Sequence, residues 1–247
     1  MKLRGVRSVD LLAIVAHPDD AELSCGGALA GAARLGYRAG ILDLTRGEMA
    51  TRGTPATRAR EAVRAARALG LAHRENLGLP DSALDVSLEN KRLVAARLRA
   101  LRPRVVILPY WEGRHPDHVA ASRIGYEACW LAGLKQLDLP EASGPHRPFK
   151  ILYSTLYDET GRVQPTFILD ISRDYARRAR AIACYRSQFA GPQRQRGIHI
   201  PLTGLEERLE VTCRYFGELI GVRYGEPYVT RELPAVEDIV RLPARSI

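Results

Sequence analysis

The sequence lacks the features of a membrane protein, a disulfide-rich secreted protein or a thiolate metal site. Its apolar runs, such as residues 11–16, reach only about six residues, whereas a membrane span needs roughly 20. They are also too short for a signal-peptide core, and Asp10 and His17 bracket the first of them. The four cysteines are widely spaced and form no Cys-x-x-Cys pair, which argues against a disulfide framework. We therefore expect a cytoplasmic protein with no membrane partner.

Phenylalanine is also scarce, and this weakens a nucleic-acid interpretation of the basic charge. The formal net charge is +9, but the chain has only four phenylalanines. Its arginines are spread along predicted helices and are poorly interleaved with aromatic residues. Solvated helix faces explain that distribution better than a nucleic-acid surface does. The same positive field would attract a small acidic substrate, so we expect no nucleic-acid partner.

Three common catalytic or nucleotide-binding signatures are missing as well. The chain has no Walker sequence, no serine in a nucleophile elbow and no Gly-x-Gly-x-x-Gly fingerprint. Gly26 and Gly27 follow the first predicted strand, where they favour close packing of the first helix on the sheet. Any catalytic chemistry must therefore come from other residues.

Short β-type runs alternate with longer helical patterns, which is typical of a parallel sheet flanked by helices. With 247 residues, of which 46% are hydrophobic, the chain is long enough for one well-packed domain. The predicted fold class is α/β, a single Rossmann-like domain over residues 1–247 with a mostly parallel twisted sheet and helices on both faces. The predicted strands are residues 11–16, 39–44, 105–109, 151–155 and 166–170, with a weaker one near 75–77.

Six helices are predicted from start and stop signals. Pro55 follows Thr54 at the start of the second helix and Gly70 ends it, while Pro103 must end the third. The sixth begins with a capping-box pattern at Thr203, and its apolar stripe, expected in the core, is Leu205, Leu209, Phe216 and Ile220. The predicted spans are about residues 21–35, 55–70, 87–102, 118–134, 173–185 and 203–221.

Two histidine-proline-aspartate clusters dominate the sequence. Residues 16–22 read Ala-His-Pro-Asp-Asp-Ala-Glu and residues 114–118 read Arg-His-Pro-Asp-His, each after a predicted strand. Parallel strands end at one edge of a sheet, where open α/β sheets gather their ligands. Each proline keeps the preceding histidine out of helical geometry. We therefore expect three of the six histidines to converge with three aspartates on one spot.

Imidazole and carboxylate groups in this combination indicate a metal site. A catalytic zinc uses three protein ligands and leaves a fourth position for water. Two histidines and one aspartate meet that requirement, which leaves one histidine and two aspartates for proton transfer. Zinc lowers the pKa of bound water to about 7, a carboxylate can take the proton, and a protonated histidine can assist the leaving amine. The pattern predicts a metal-dependent amide hydrolase with one Zn²⁺ per chain, or another divalent metal in its place.

Each cluster taken alone has a purely structural explanation. Asp19 or Asp20 could be a helix cap with a solvated neighbour, and Asp117 could be only the N-cap of the next helix. A single buried histidine is more often a hydrogen-bonded core residue than a ligand. Two such clusters at two strand ends favour the metal site.

The motifs AHPDDAELSCGG and RHPDH resemble those of the LmbE-like family, the zinc-dependent N-acetylglucosamine deacetylases related to the glycosylphosphatidylinositol-pathway enzyme. The resemblance continues through LTRGEMATRGTPATRAREA, RENLGLPDS, EACWLAGL and CYRSQF to about Tyr228, and leaves the tail from Arg231 unmatched. These intermediate motifs look most like the subgroup that deacetylates N-acetylglucosaminyl-malate in bacillithiol biosynthesis. The resemblance implies one LmbE-like deacetylase domain that assembles as a trimer or hexamer.

The same resemblance assigns roles to the clusters. Asp19 looks like the general base, and His115 looks like the charged partner of the oxyanion and a possible acid. Asp117 would hold His115 protonated, because an adjacent carboxylate raises a histidine pKa. Glu22 receives no chemical role, and a position in the first helical turn accounts for it. The implied zinc ligands are His17, Asp20 and His118.

The resemblance also implies how substrate is bound. Arg58 resembles a family arginine that contacts substrate, and Arg46 and Arg114 offer further cations for the carboxylates of malate. The expected partner is thus a small acidic sugar conjugate. Two alternatives stay open: another N-acetylglucosamine substrate, such as a chitooligosaccharide or a mycothiol-type conjugate, or a non-enzymatic Rossmann-like binder of nucleotides or nucleic acid. The binder has no use for two histidine-proline-aspartate clusters.

Overall fold

One mixed sheet organises the chain. The computed structural model describes residues 8–139, 144–156, 163–190 and 204–238. The strands within them are β1 (Leu11–Val15), β2 (Ala39–Thr45), β3 (His73–Leu79), β4 (Val105–Pro109), β5 (Lys150–Ser154), β6 (Phe167–Asp170) and β7 (Gly225–Val229). They pair in the order β3-β2-β1-β4-β5-β7-β6. The first five are parallel, and β7 is antiparallel to both neighbours, which confirms the predicted mostly parallel α/β sheet.

The helices cover both faces of this sheet. They are α1 (Asp20–Arg34), α2 (Pro55–Leu69), α3 (Leu88–Leu101), α4 (Pro116–Ala132), α5 (Tyr175–Ile182), α6 (Arg186–Phe189) and α7 (Leu205–Glu218). Side chains of a strand alternate between faces: Leu12 and Ile14 pack in a cluster with α3 and α4, while Ala13 and Val15 pack with α1 and α2. Every helix in the described part of the chain is too short or too polar to cross a bilayer.

The predicted start and stop signals of α2 and the start of α3 are observed. Thr54 and Ser87 cap α2 and α3 through their side chains, and Gly70 ends α2 in the left-handed region at φ 77°. The expected core stripe of α7 is wrong at its end, because Ile220 is 39% exposed. The proposed capping residue Thr203 lies outside the described residues.

Among the described strands, β7 is the one that the sequence prediction missed; the short helix α6 was not predicted either. The first three residues of β7, Gly225, Glu226 and Pro227, are typical of turns and edge strands, yet β7 lies between β5 and β6 inside the sheet. Glu226 is completely buried there. A buried carboxylate within a strand needs hydrogen-bond donors from elsewhere in the fold.

Candidate metal centre

The two clusters meet where the strand order reverses. β1 pairs with β2 on one side and with β4 on the other, parallel to both. α1 follows β1 and α4 follows β4, and the two helices pack on opposite faces of the sheet. This is the topological switch point at which α/β proteins bind ligands. The expectation that both clusters reach the carboxyl edge of one sheet is confirmed.

His17, Asp20 and His118 form a compact group at this point. Oδ2 of Asp20 lies 3.3 Å from Nδ1 of His17 and 3.3 Å from Nε2 of His118. One ligand atom from each of the three residues lies within 4.8 Å of the others, which is close enough for one ion to contact all three. Two imidazole nitrogens and one carboxylate oxygen are donors that zinc accepts in catalytic sites.

Two further carboxylates hold the opposite nitrogen of His17. Nε2 of His17 lies 3.0 Å from Oδ1 of Asp81 and 3.2 Å from Oδ2 of Asp117. A metal-binding histidine typically donates its second ring N–H to a carboxylate, which orients the ring and raises its basicity. Asp81 and Asp117 therefore direct Nδ1 of His17 toward Asp20.

Asp81 was not among the residues predicted for the site. It follows β3, the third strand whose end faces this region, and its other oxygen, Oδ2, accepts a hydrogen bond from the backbone of Met49 at 2.8 Å. Asp81 lies in the motif RENLGLPDS, one of the intermediate motifs of the family resemblance. Its position after a parallel strand was the signal that could have placed Asp81 at the site.

The ionisable side chains of this group shift one another's pKa values. Burial alone lowers the pKa of His17, but the carboxylates of Asp20 and Asp81 outweigh burial and raise the pKa to about 9. Burial likewise opposes ionisation of Asp20, yet His118 and His17 hold the pKa of Asp20 well below its usual range. A bound cation would replace the histidine protons as the partner of Asp20, so metal affinity should fall in acid.

Asp19 is held in a strained conformation and paired with a buried arginine. Its φ of 114° lies in the left-handed region, which is rare for a residue with a side chain and clusters at functional sites. Its Oδ2 accepts a hydrogen bond of 2.8 Å from Nη2 of Arg58. Burial raises the pKa of Asp19 to about 7, although Arg58 opposes the shift. Asp19 makes no side-chain capping bond to α1, so a capping role does not account for it.

Arg58 lies inside the protein at this site. Its Nε donates to the carbonyl of Pro18 at 2.9 Å and its Nη1 to the carbonyl of Gly47 at 3.4 Å. Gly47 has φ 66°, and a Cβ on it would lie 2.1 Å from Nη1 of Arg58, so this loop needs glycine. Arg46 and Arg114 are exposed. The assignment of these three arginines to substrate binding stays a prediction.

His115 caps the helix that follows it. Its Nδ1 accepts a hydrogen bond from the backbone N–H of Asp117 at 3.3 Å, which caps α4. Burial lowers the pKa of His115, and the neighbouring His118 and His17 lower it further. The carboxylate of Asp117 is engaged by His17 and by the backbone N–H groups of Ser82 and Leu84. Asp20 and Asp117 oppose this lowering, so the expectation that Asp117 holds His115 protonated stays a prediction. In a neutral His115, the hydrogen bond accepted by Nδ1 places the proton on Nε2.

Glu22 belongs to a buried hydrogen-bond network as well as to the first turn of α1. It is fully buried, and its Oε1 accepts hydrogen bonds from Nη1 of Arg74 at 2.6 Å and from the hydroxyl of Tyr185 at 3.0 Å. Arg74 also binds both carboxylate oxygens of Asp43, at 2.8 and 2.9 Å. This network ties the start of α1 to β2 and β3.

Comparison with known proteins connects this geometry to a family. The family model described as PIG-L, GlcNAc-PI de-N-acetylase, matches residues 12–129, a segment that contains both clusters. Diacetylchitobiose deacetylase from Thermococcus kodakarensis is 28% identical over 227 residues, which cover 87% of this chain and 80% of the relative.

Two solved structures are similar over nearly the whole chain. A conserved protein from Thermus thermophilus has 40% identity and a TM-score of 0.82, with 93% of this chain and 98% of that chain covered. N,N′-diacetylchitobiose deacetylase from Pyrococcus horikoshii, in complex with its inhibitor MPG, has 26% identity and a TM-score of 0.77, with 90% and 83% covered.

Proposed function

We propose that this chain, which matches the PIG-L family model of GlcNAc-PI de-N-acetylases over residues 12–129, is a metal-dependent deacetylase of N-acetylglucosamine-type substrates. The observation that carries the proposal is the group of His17, Asp20 and His118 with the buried carboxylate of Asp19 beside it. A metal group beside a potential base with a pKa near neutrality is what amide hydrolysis at neutral pH requires.

Zinc is the proposed ion, and the residues present fit it. His17, Asp20 and His118 would hold the ion through Nδ1, a carboxylate oxygen and Nε2, since Nε2 of His17 is already engaged by Asp81 and Asp117. Bound there, zinc would supply Lewis acidity toward the acetyl carbonyl and would acidify a water molecule.

Asp19 is the proposed base and proton carrier. With a pKa of about 7, a substantial fraction of its carboxyl is ionised at neutral pH and can accept the proton of the attacking water. The carboxylic acid then returns that proton to the amine nitrogen as the C–N bond breaks, which releases acetate and the free amine. Arg58 keeps the carboxylate of Asp19 in place throughout, because its guanidinium also binds the backbone of Pro18.

His115 is the proposed donor to the carbonyl oxygen as negative charge develops on it. Its Nδ1 is occupied as an acceptor by the N–H of Asp117, so its Nε2–H can donate a hydrogen bond outward. Removal of one such donor typically slows hydrolysis by about 10²- to 10³-fold. This assignment makes His115 a neutral hydrogen-bond donor at the start of the reaction.

Two classes of N-acetylglucosamine substrate are candidates for this site. The similarity to diacetylchitobiose deacetylases favours a chitooligosaccharide such as diacetylchitobiose. The exposed cations Arg46 and Arg114 favour a carboxylate-bearing conjugate such as N-acetylglucosaminyl-malate, the substrate expected in bacillithiol biosynthesis.

Metal analysis coupled to an acetate-release assay tests the proposal. We expect about one zinc per chain, and acetate release that a chelator removes and added zinc restores. Diacetylchitobiose and N-acetylglucosaminyl-malate are compared by kcat/KM, with plain N-acetylglucosamine as the reference. Zinc-loaded protein that released no acetate from any of the three would refute the proposed activity, and equal turnover of the malate conjugate and plain N-acetylglucosamine would argue against carboxylate recognition.

A further inference from the structure

The first helix bends just after the turn that carries Asp20. The backbone of α1 is non-helical at Cys25, with φ −144° and ψ 21°. In a straight helix the N–H of Gly27 pairs with the carbonyl of Leu23, and the N–H of Ala28 with that of Ser24. Here all four of these groups hydrogen-bond to side chains from other elements.

Glu226 of β7 binds the two amides. Its Oε2 accepts from the N–H of Gly27 at 2.8 Å and its Oε1 from the N–H of Ala28 at 2.9 Å. The hydroxyl of Tyr228 donates to the same Oε1, and Glu226 is fully buried. A carboxylate in this position acts as an N-terminal cap for the second segment of α1, where the helix dipole favours negative charge.

Arg178 and Ser154 bind the two carbonyls. Nη2 of Arg178 donates to the carbonyl of Leu23 at 2.7 Å, and the hydroxyl of Ser154 donates to that of Ser24. The first segment of α1 thus ends on donors from α5 and β5. Arg178 is only 1% exposed.

The double glycine makes room for these side chains. A Cβ on Gly26 would lie 2.9 Å from Cγ of Arg178, and one on Gly27 would lie 2.7 Å from Oε2 of Glu226. The prediction that these glycines allow close packing of the first helix on the sheet is confirmed, since Glu226 belongs to β7.

We propose that Glu226 is a positioning residue of the metal site, which, together with Arg178 and Ser154, holds α1 bent so that its first turn places Asp20 against His17 and His118. A straight helix would satisfy the same four backbone groups without burying a carboxylate and a guanidinium, each of which is expensive to desolvate. The bend therefore has a geometric role, and the residue of the first turn that reaches the metal group is Asp20. This inference rests on the proposed metal-dependent function.

Zinc affinity of the purified protein tests it. Apo-protein is titrated with Zn²⁺ against a chromophoric chelator, and folding is checked by circular dichroism. In Glu226→Gln the side-chain amide turns an NH₂ group toward one of the backbone N–H groups, and we expect the Kd for zinc to rise about tenfold, as for other residues that orient metal ligands. Ser154→Ala leaves the buried charges of Glu226 and Arg178 intact, and it should raise the Kd for zinc by a smaller factor. The matched control is Glu210→Gln, which neutralises a partly exposed carboxylate of α7 that binds Arg214 and the hydroxyl of Tyr224 and should leave the Kd unchanged.

A double-mutant cycle separates positioning from general destabilisation. If Glu226 acts through Asp20, Glu226→Gln should have no further effect on the Kd in an Asp20→Ala background, where the remaining affinity comes from the histidines. The same fold-change in both backgrounds would overturn the proposal. So would folded Glu226→Gln and Ser154→Ala proteins that bind zinc as tightly as the wild type. Should Glu226→Gln fail to fold, the cycle is run with Ser154→Ala.

The outcome for the wild type keeps the two proposals distinct. Wild-type protein that binds no zinc refutes the proposed function. Wild-type protein that binds zinc but releases no acetate refutes the deacetylase activity alone, and the positioning role of Glu226 is then still decided by the Kd values.

Discussion

Removal of Arg74 should destabilise the protein far more than removal of a surface arginine. Arg74 binds Asp43 through two hydrogen bonds and Glu22 through a third, of 2.6 Å, and the side chains of Asp43 and Glu22 are 2% and 0% exposed. Arg74→Met leaves two buried carboxylates without their cation. Breaking a buried pair in this way costs about 3–5 kcal/mol, which for a chain of this size lowers Tm by about 6–20 °C. Urea denaturation at pH 8 with an unchanged m-value is the assay.

The pH dependence of the variant follows from the same carboxylates. Burial raises the pKa of Asp43 even though Arg74 opposes the shift, and without Arg74 the pKa must rise further. When the pKa of a carboxyl is higher in the folded than in the unfolded state, the protein loses stability as the pH rises from the unfolded pKa, which is about 4, toward the folded pKa. The deficit of Arg74→Met should therefore be smaller at pH 5 than at pH 8.

Two further variants test whether the unpaired buried carboxylates cause the loss of stability in Arg74→Met. Arg123→Met removes an arginine whose side chain is 69% exposed and paired with Glu127, and it should change stability by less than about 1 kcal/mol. Adding Glu22→Gln and Asp43→Asn to Arg74→Met should recover much of the lost stability. A loss of stability below about 1 kcal/mol in Arg74→Met would refute the reasoning. A larger loss that the neutral amides do not relieve would also refute it, and would point to lost packing of the arginine stem.

Three further predictions concern the site itself. Asp19→Asn should keep its zinc but lower kcat/KM by about 10²- to 10⁴-fold, and full activity in this variant would exclude Asp19 as the base. Arg58→Gln removes the cation that opposes the raised pKa of Asp19, so the acidic limb of the kcat/KM profile should move to higher pH by about 1–3 units; an unmoved limb would show that Arg58 does not act on Asp19. Asp81→Asn weakens the carboxylate support of His17 and should raise the zinc Kd by about 10- to 100-fold, whereas Glu89→Gln, at an exposed position of α3, should not.

The parts of the fold that the sequence predicts well are those with a strong local signal. Parallel strands covered on both faces are continuous apolar runs, and β1, β2 and β4 were found within one residue of their observed ends. α2 was found from a proline at its start and a glycine at its end. β7 has no comparable signal, because its burial of Glu226 depends on amides of α1 that lie 198 and 199 residues away.

The same distinction applies to the site. The convergence of His17 with His118 follows from two strand ends and a general rule about parallel sheets. The carboxylate behind His17 belongs to Asp81, which is 64 residues away, and the hydroxyl on Glu22 belongs to Tyr185, which is 163 residues away. The position of Asp81 after a parallel strand is a signal for the site, but it does not identify His17 as the partner. Nothing in the sequence around Tyr185 identifies Glu22 as its partner, since only tertiary packing brings the two together.

The geometry of Arg58 bears directly on substrate recognition. Of its five N–H donors, three are directed at Pro18, Asp19 and Gly47, and the residue is only 7% exposed. Any contact with substrate must therefore use the two remaining N–H groups, while the guanidinium stays on Asp19. Loss of Arg58 should then lower kcat for every acetylated sugar. On the proposed malate specificity, discrimination for the carboxylate would depend on the exposed Arg46 and Arg114. Arg46→Ala should accordingly raise KM for N-acetylglucosaminyl-malate and leave that for diacetylchitobiose unchanged, and an equal rise for both would argue against recognition of a carboxylate by Arg46.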